Sequence, residues 1–146
     1  MRKVLGALAF STLIAASGAA KECETRNIEL DAQGGLRMPC RVGVTQGADC
    51  EAILIRTCLG EPERRPLKAR EAKRVFKLAE SAKLFGGGYV GIDASAVDGA
   101  FTALTYSDKE GTAVLVTSGN PSFDEPGSRR ELVRMLWELG KTFDQK

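Results

Sequence analysis

Leu36-Arg37-Met38-Pro39-Cys40-Arg41-Val42-Gly43-Val44 is the stretch that decides the fold class. Its apolar side chains, Leu36, Met38, Cys40, Val42 and Val44, fall on every second position, which is the period of a strand with one buried face. Pro39 cannot donate to a ladder, so this strand is expected at a sheet edge or bulged at that point. Upstream, Asn27 to Leu30 reads as a short strand joined to it through Asp31-Ala32-Gln33-Gly34-Gly35. Downstream, Gln46-Gly47-Ala48-Asp49 is a turn into Glu51 to Leu59, where Ala52-Ile53-Leu54-Ile55 is apolar on both faces, as suits a central strand. Three strands in a meander follow.

Gly60-Glu61-Pro62-Glu63-Arg64-Arg65 breaks the strand pattern, and Pro66 then fits the first turn of a helix, where its missing N–H costs nothing. Ala72, Val75, Phe76, Ala79 and Ala82 recur at helical spacing, with Leu78 and Phe85 widening the stripe, and Gly86-Gly87-Gly88 stops it. The other face carries Lys68, Arg70, Lys73, Arg74, Lys77 and Lys83 against Glu71 and Glu80. This basic face is either simply solvated or an anionic docking surface, with Arg70, Arg74 and Lys77 as its candidate contacts.

The second half repeats the order: a short strand Tyr89 to Ile92, then a hairpin of Phe101 to Tyr106 and Thr112 to Ser118 around Ser107-Asp108-Lys109-Glu110-Gly111. Ser128-Arg129-Arg130-Glu131 reads as a capping box, opening a helix whose stripe is Leu132, Met135, Leu136 and Leu139, with Gly140 as its end. The halves share order and no residue-level similarity. The expected architecture is α+β: an antiparallel sheet of about six strands, β-β-β-α twice, with two amphipathic helices packed on one face.

Residues 1–20 read as a cleaved secretory signal peptide, and residues 21–146 as one disulfide-stabilised domain. Arg2 and Lys3 precede an apolar run from Val4 to Ala16, and Ser17-Gly18-Ala19-Ala20 supplies the small residues of a cleavage site near Ala20. The run is too short for a stable membrane span. Lys21 and Glu22, directly before Cys23, argue against a lipidated cysteine. The chain carries 21 Lys+Arg against 19 Asp+Glu; without Arg2 and Lys3 the basic count falls to 19 and the balance is zero. A neutral domain has no long-range field for nucleic acid.

Cys23, Cys40, Cys50 and Cys58 are an even set in an exported chain, which implies two disulfides. The spacings contain no C-x-x-C and the chain no histidine, so a zinc cage is disfavoured. Three connectivities are open; Cys50 with Cys58 requires a bend, because a straight strand of that length holds its ends beyond disulfide reach.

The absence of histidine removes Ser-His-Asp and Cys-His catalysis, and none of the eight serines has a lysine three positions later. Gly86-Gly87-Gly88-Tyr89-Val90-Gly91 matches a dinucleotide fingerprint in letters but follows a helix instead of a strand, so no cofactor is implied. Asp93 with Asp98 and Asp124 with Glu125 are carboxylate pairs in loop-like sequence, where turn formation is the competing role. Phe123, beside Asn120 in the long loop Ser118 to Gly127, either folds onto the core or serves as an exposed anchor.

The function expected from these features is a small exported, non-enzymatic module in the periplasm or outside the cell. It binds another macromolecule, an envelope or extracellular protein, in an accessory, inhibitor or immunity-type role. The alternative is a small-ligand carrier with a pocket between sheet and helices, and the minor alternative a carboxylate-only hydrolase.

Overall fold

Val42 and Val44 bury beside Ile28 and Leu30 of the preceding strand, and Val44 also faces Leu54 of the following one. That shared apolar face fixes the register, since a slip of one residue would turn every one of these side chains to solvent. In the computed structural model, which describes residues 22–33, 40–85, 101–118 and 127–145, the strands are β1 (Arg26–Gln33), β2 (Cys40–Gln46), β3 (Ala52–Thr57), β4 (Glu63–Leu67), β5 (Phe101–Asp108) and β6 (Gly111–Ser118). They form one antiparallel sheet in the order β4-β3-β2-β1-β5-β6. Leu30 lies opposite Leu104, and Leu104 opposite Leu115, so the buried face continues to β6.

Two helices, α1 (Ala69–Ser81) and α2 (Gly127–Lys141), pack against each other and against the sheet, and a 3-10 turn (Thr142–Asp144) follows α2. Val75 and Phe76 of α1 and Leu132 and Leu136 of α2 are fully buried with the inward residues of the sheet. Each such side chain contributes about 1.5–3 kcal/mol relative to exposure. The opposite face of the sheet carries Ile53 and Val114, which remain 44% and 54% exposed. The α+β architecture expected from the sequence is thus observed: an open six-stranded antiparallel sheet with two helices.

Several local expectations are corrected. Glu63–Leu67 is an edge strand with Pro66 inside it, and α1 begins only at Ala69, so the described order is β-β-β-β-α-β-β-α. Proline is tolerated there because an edge strand leaves one side of its backbone unpaired. β2 is internal, between β1 and β3, and not an edge; Pro39 lies outside the described residues. So do the expected strand Tyr89 to Ile92 and Gly86-Gly87-Gly88. α1 ends at Ser81, ahead of those glycines, and Lys83 takes the left-handed conformation (φ 47°) that ends helices.

The capping box at Ser128 is not formed. α2 starts at Gly127, which places Ser128 within the first turn; its Oγ is buried without a partner among the described residues, and Glu131 instead accepts from Arg74. Half of such a box occurs on α1, where the Glu71 carboxylate accepts from the Lys68 backbone amide at 3.3 Å. Gly140 is not the helix end either. A Cβ there would stand 2.6 Å from Val42 Cγ2, so glycine at this position lets α2 approach β2.

The disulfides are Cys23–Cys50 and Cys40–Cys58. The first ties the segment before β1 to the β2–β3 turn, and the second joins the opposite ends of β2 and β3. The turn is built by the Asp49 carboxylate accepting from the Glu51 amide at 3.0 Å and by the Cys50 amide donating to Gly47 O at 3.1 Å. The β5–β6 turn uses the same device: the Glu110 amide donates to Asp108 Oδ1 at 2.7 Å, and Gly111 at φ 140° completes the reversal.

Candidate functional site

Arg70, Lys73, Arg74 and Lys77 stand three, four and seven residues apart on α1, which puts them on one face, and all four are exposed. The apolar positions Ala72, Val75, Phe76 and Ala79 take the other side of the helix into the core, so burial of the stripe dictates that the cations point outward. The acids nearby are committed within the molecule. Glu71 turns back to the Lys68 amide, Glu80 accepts from Arg26 at 2.8 Å, and Glu131 of α2 accepts from Arg74 at 3.0 Å. Arg74 therefore bridges the helices. Arg70, Lys73 and Lys77 make no ion pair among the described residues. Of the interaction residues read from the sequence, Arg70, Arg74 and Lys77 are brought together here; Phe123 and Asn120 lie outside the described residues.

A second feature is a cleft of about 430 Å³ between the C-terminal end of α1 and the β5–β6 hairpin. Its floor includes Tyr106, whose ring meets Phe85 edge-on at 5.7 Å, and its rim includes Glu24, Glu80, Lys83, Asp108 and Lys109. Burial, with the charge of and a hydrogen bond to Asp108, pushes the Tyr106 hydroxyl up to about 12. The hydroxyl is held neutral and is not a base at ordinary pH. The cleft is rimmed by charge, so it suits a polar guest better than the apolar one a sealed cavity would hold.

Four arginines that the sequence reading passed over organise the surroundings. Arg26 lies over the Phe76 ring at 4.3 Å and donates to Glu80 and to Gln46 Oε1, each at 2.8 Å. Arg129, buried in the first turn of α2, donates to the carbonyls of Ala82 and Lys83 at 2.9 and 3.2 Å. A cation at the end of α1 meets the negative pole of that helix and satisfies carbonyls left without intrahelical partners. Arg56 donates to Asp144 at 2.7 Å and to Gly140 O at 3.2 Å and pairs with Glu63 at 2.7 Å. Desolvation opposes its charge, but the hydrogen bonds and attraction of Asp144 and Glu63 outweigh it and raise its pKa. Arg65 donates to Thr142 Oγ1 at 2.5 Å, and Phe143 sits within 5.1 and 5.7 Å of the Arg56 and Arg65 guanidiniums.

Asp93, Asp98, Asp124 and Glu125, the carboxylates considered for hydrolysis, lie outside the described residues. No group of metal-ligating side chains occurs among the described residues, and no described helix is long and apolar enough to cross a membrane. No protein-family model matches the chain, and no curated protein matches it.

Proposed function

We propose that this chain is an exported, non-enzymatic module of the periplasm or extracellular space that binds an acidic surface on another macromolecule, an envelope or extracellular protein, in an accessory, inhibitor or immunity-type role. One observation carries the reading: Arg70, Lys73 and Lys77 stay exposed on α1 while Glu71, Glu80 and Glu131 are drawn into bonds within the molecule. A neutral domain thereby presents one locally cationic face, the arrangement that steers association and selects partner orientation. Two disulfides fit delivery into an oxidising compartment. The absence of histidine from the sequence supports a binding role over a catalytic one.

The test is capture from an envelope extract by the immobilised oxidised protein and by its Arg70→Glu/Lys77→Glu variant. A specific partner that is retained by the parent, released by moderate salt and not retained by the variant is the expected result. Equal retention by both would contradict the reading. A second reading, carriage of a small polar guest, has the Tyr106 cleft in its favour; it requires a ligand whose binding is weakened by Tyr106→Phe and untouched by the charge reversal on α1.

A further inference from the structure

We infer that the protein self-associates through β6, two copies pairing antiparallel so that their sheets join into one. This goes beyond the proposed partner site on α1 and does not depend on it. β6 is the outermost strand on its side among the described residues, eight residues long, and reads Gly-Thr-Ala-Val-Leu-Val-Thr-Ser with neither charge nor proline. Alternate residues of such a strand direct their N–H and C=O groups away from β5, where only another strand satisfies them regularly.

The other edge cannot take that role. β4 reads Glu-Arg-Arg-Pro-Leu, with charge at three of its five positions and a proline that removes a donor. Head-to-tail pairing of β6 with β4 of a second copy would yield an open fibre, and Pro66 with Arg64 and Arg65 oppose it. Pairing of β6 with itself closes after two copies.

The sequence of β6 is close to symmetric about Leu115, with Val114 and Val116 on either side, then Ala113 and Thr117, then Thr112 and Ser118. An antiparallel pair centred there sets Val114 of one copy opposite Val116 of the other, twice, on the outer face where Val114 is already 54% exposed. Cross-strand β-branched pairs favour such a ladder. The nearest charges before the strand, Lys109 and Glu110, fall outside it, so no like charges oppose each other. One added strand pair buries less than a standard interface, and the dimer is accordingly a concentration-dependent one.

Sedimentation velocity of the full-length oxidised protein across a dilution series tests this, together with two variants, Val114→Lys/Val116→Lys and Val114→Glu/Val116→Glu. The parent is expected to pass from monomer to dimer with concentration. Each variant alone is expected to associate at least about tenfold more weakly, because like charges opposite each other oppose the pairing. An equimolar mixture of the two is expected to restore the dimer, which also shows that both variants fold. Monomer at all concentrations, an assembly larger than a dimer, or dimerisation unchanged in the single variants overturns the inference; loss of α1-dependent capture does not bear on it.

Discussion

The two edges of the sheet are finished in opposite ways. On the β4 side, Arg56 gathers Glu63, Asp144 and the Gly140 carbonyl. Arg65 holds Thr142, and both guanidiniums flank Phe143. Next to that edge the β2–β3 hairpin is stapled at both ends by Cys23–Cys50 and Cys40–Cys58. On the β6 side there is neither sulfur nor charge within the strand, and the turn that leads into it rests on Asp108 and Gly111. One side of the domain is closed by covalent bonds, ion pairs and proline, whereas the other, among the described residues, ends on a strand with no further strand paired to it. The disulfides and ion pairs lie where the sheet is sealed, and the strand pairing inferred above belongs to the side where they are missing.

Reduction strikes the sealed side hardest. The bridges close loops with sequence separations of 27 and 18 residues, and the chain-entropy model assigns each about 3–4 kcal/mol, less in sum because the loops overlap. Thermal unfolding with and without reductant is expected to show a fall of more than about 10 °C in Tm. A shift of a degree or two would mean that the core alone secures β1 to β4.

Gly140→Ala is the next largest change. Its new methyl would meet Val42 Cγ2 at 2.6 Å, and overpacking of this kind costs about 1–3 kcal/mol. Urea titration should lower the midpoint with an unchanged slope, and an unchanged midpoint would show that α2 does not press on β2. Arg129→Met probes the helix end nearest the open side. It leaves the buried Ala82 carbonyl and the half-buried Lys83 carbonyl without their donor, at about 1–3 kcal/mol, and should speed amide exchange in the last turn of α1 first.

A smaller effect belongs to Tyr106, beside the β5–β6 turn. Its neutral hydroxyl is favoured by burial and by Asp108, so the folded value of about 12 lies above the ordinary 10.0. The stability it contributes is complete below pH 10 and is lost as pH rises toward and through 12. In a Tyr89→Phe background, absorbance at 295 nm should give a tyrosinate midpoint near 12; a midpoint near 10 would place the hydroxyl in open solvent.

Five of the six strands and the cysteine pairing region are legible in the sequence; which strands form the two edges is not. Alternation marks β2, an unbroken apolar run marks β3, although its outer face keeps Ile53 exposed, and the turn between two strand-like runs marks the β5–β6 hairpin; the four clustered cysteines mark the stapled region. Glu63–Leu67 escaped because a protected edge strand buries little: Leu67 is its one buried apolar residue, so no period announces it. Pro66 suits an edge strand as well as a helix start, and local sequence does not choose between them. Gly140 reads as a terminus because glycine ends helices more often than it relieves a helix–sheet contact. Arg129 gave no signal at all, since its partners lie 47 and 46 residues upstream, at the end of another helix. The basic face of α1 is visible as a charge pattern; that Glu80 is engaged by Arg26 and Glu131 by Arg74 depends on tertiary contacts.

Residue-resolved amide hydrogen exchange at low and high protein concentration addresses the unequal edges most directly. Alternate amides of β6, those turned away from β5, are expected to exchange rapidly in dilute solution and to become protected as concentration rises, while β4 exchanges identically at both. Equal behaviour of the two edges, or protection of β6 that does not vary with concentration, would contradict the inequality of the edges.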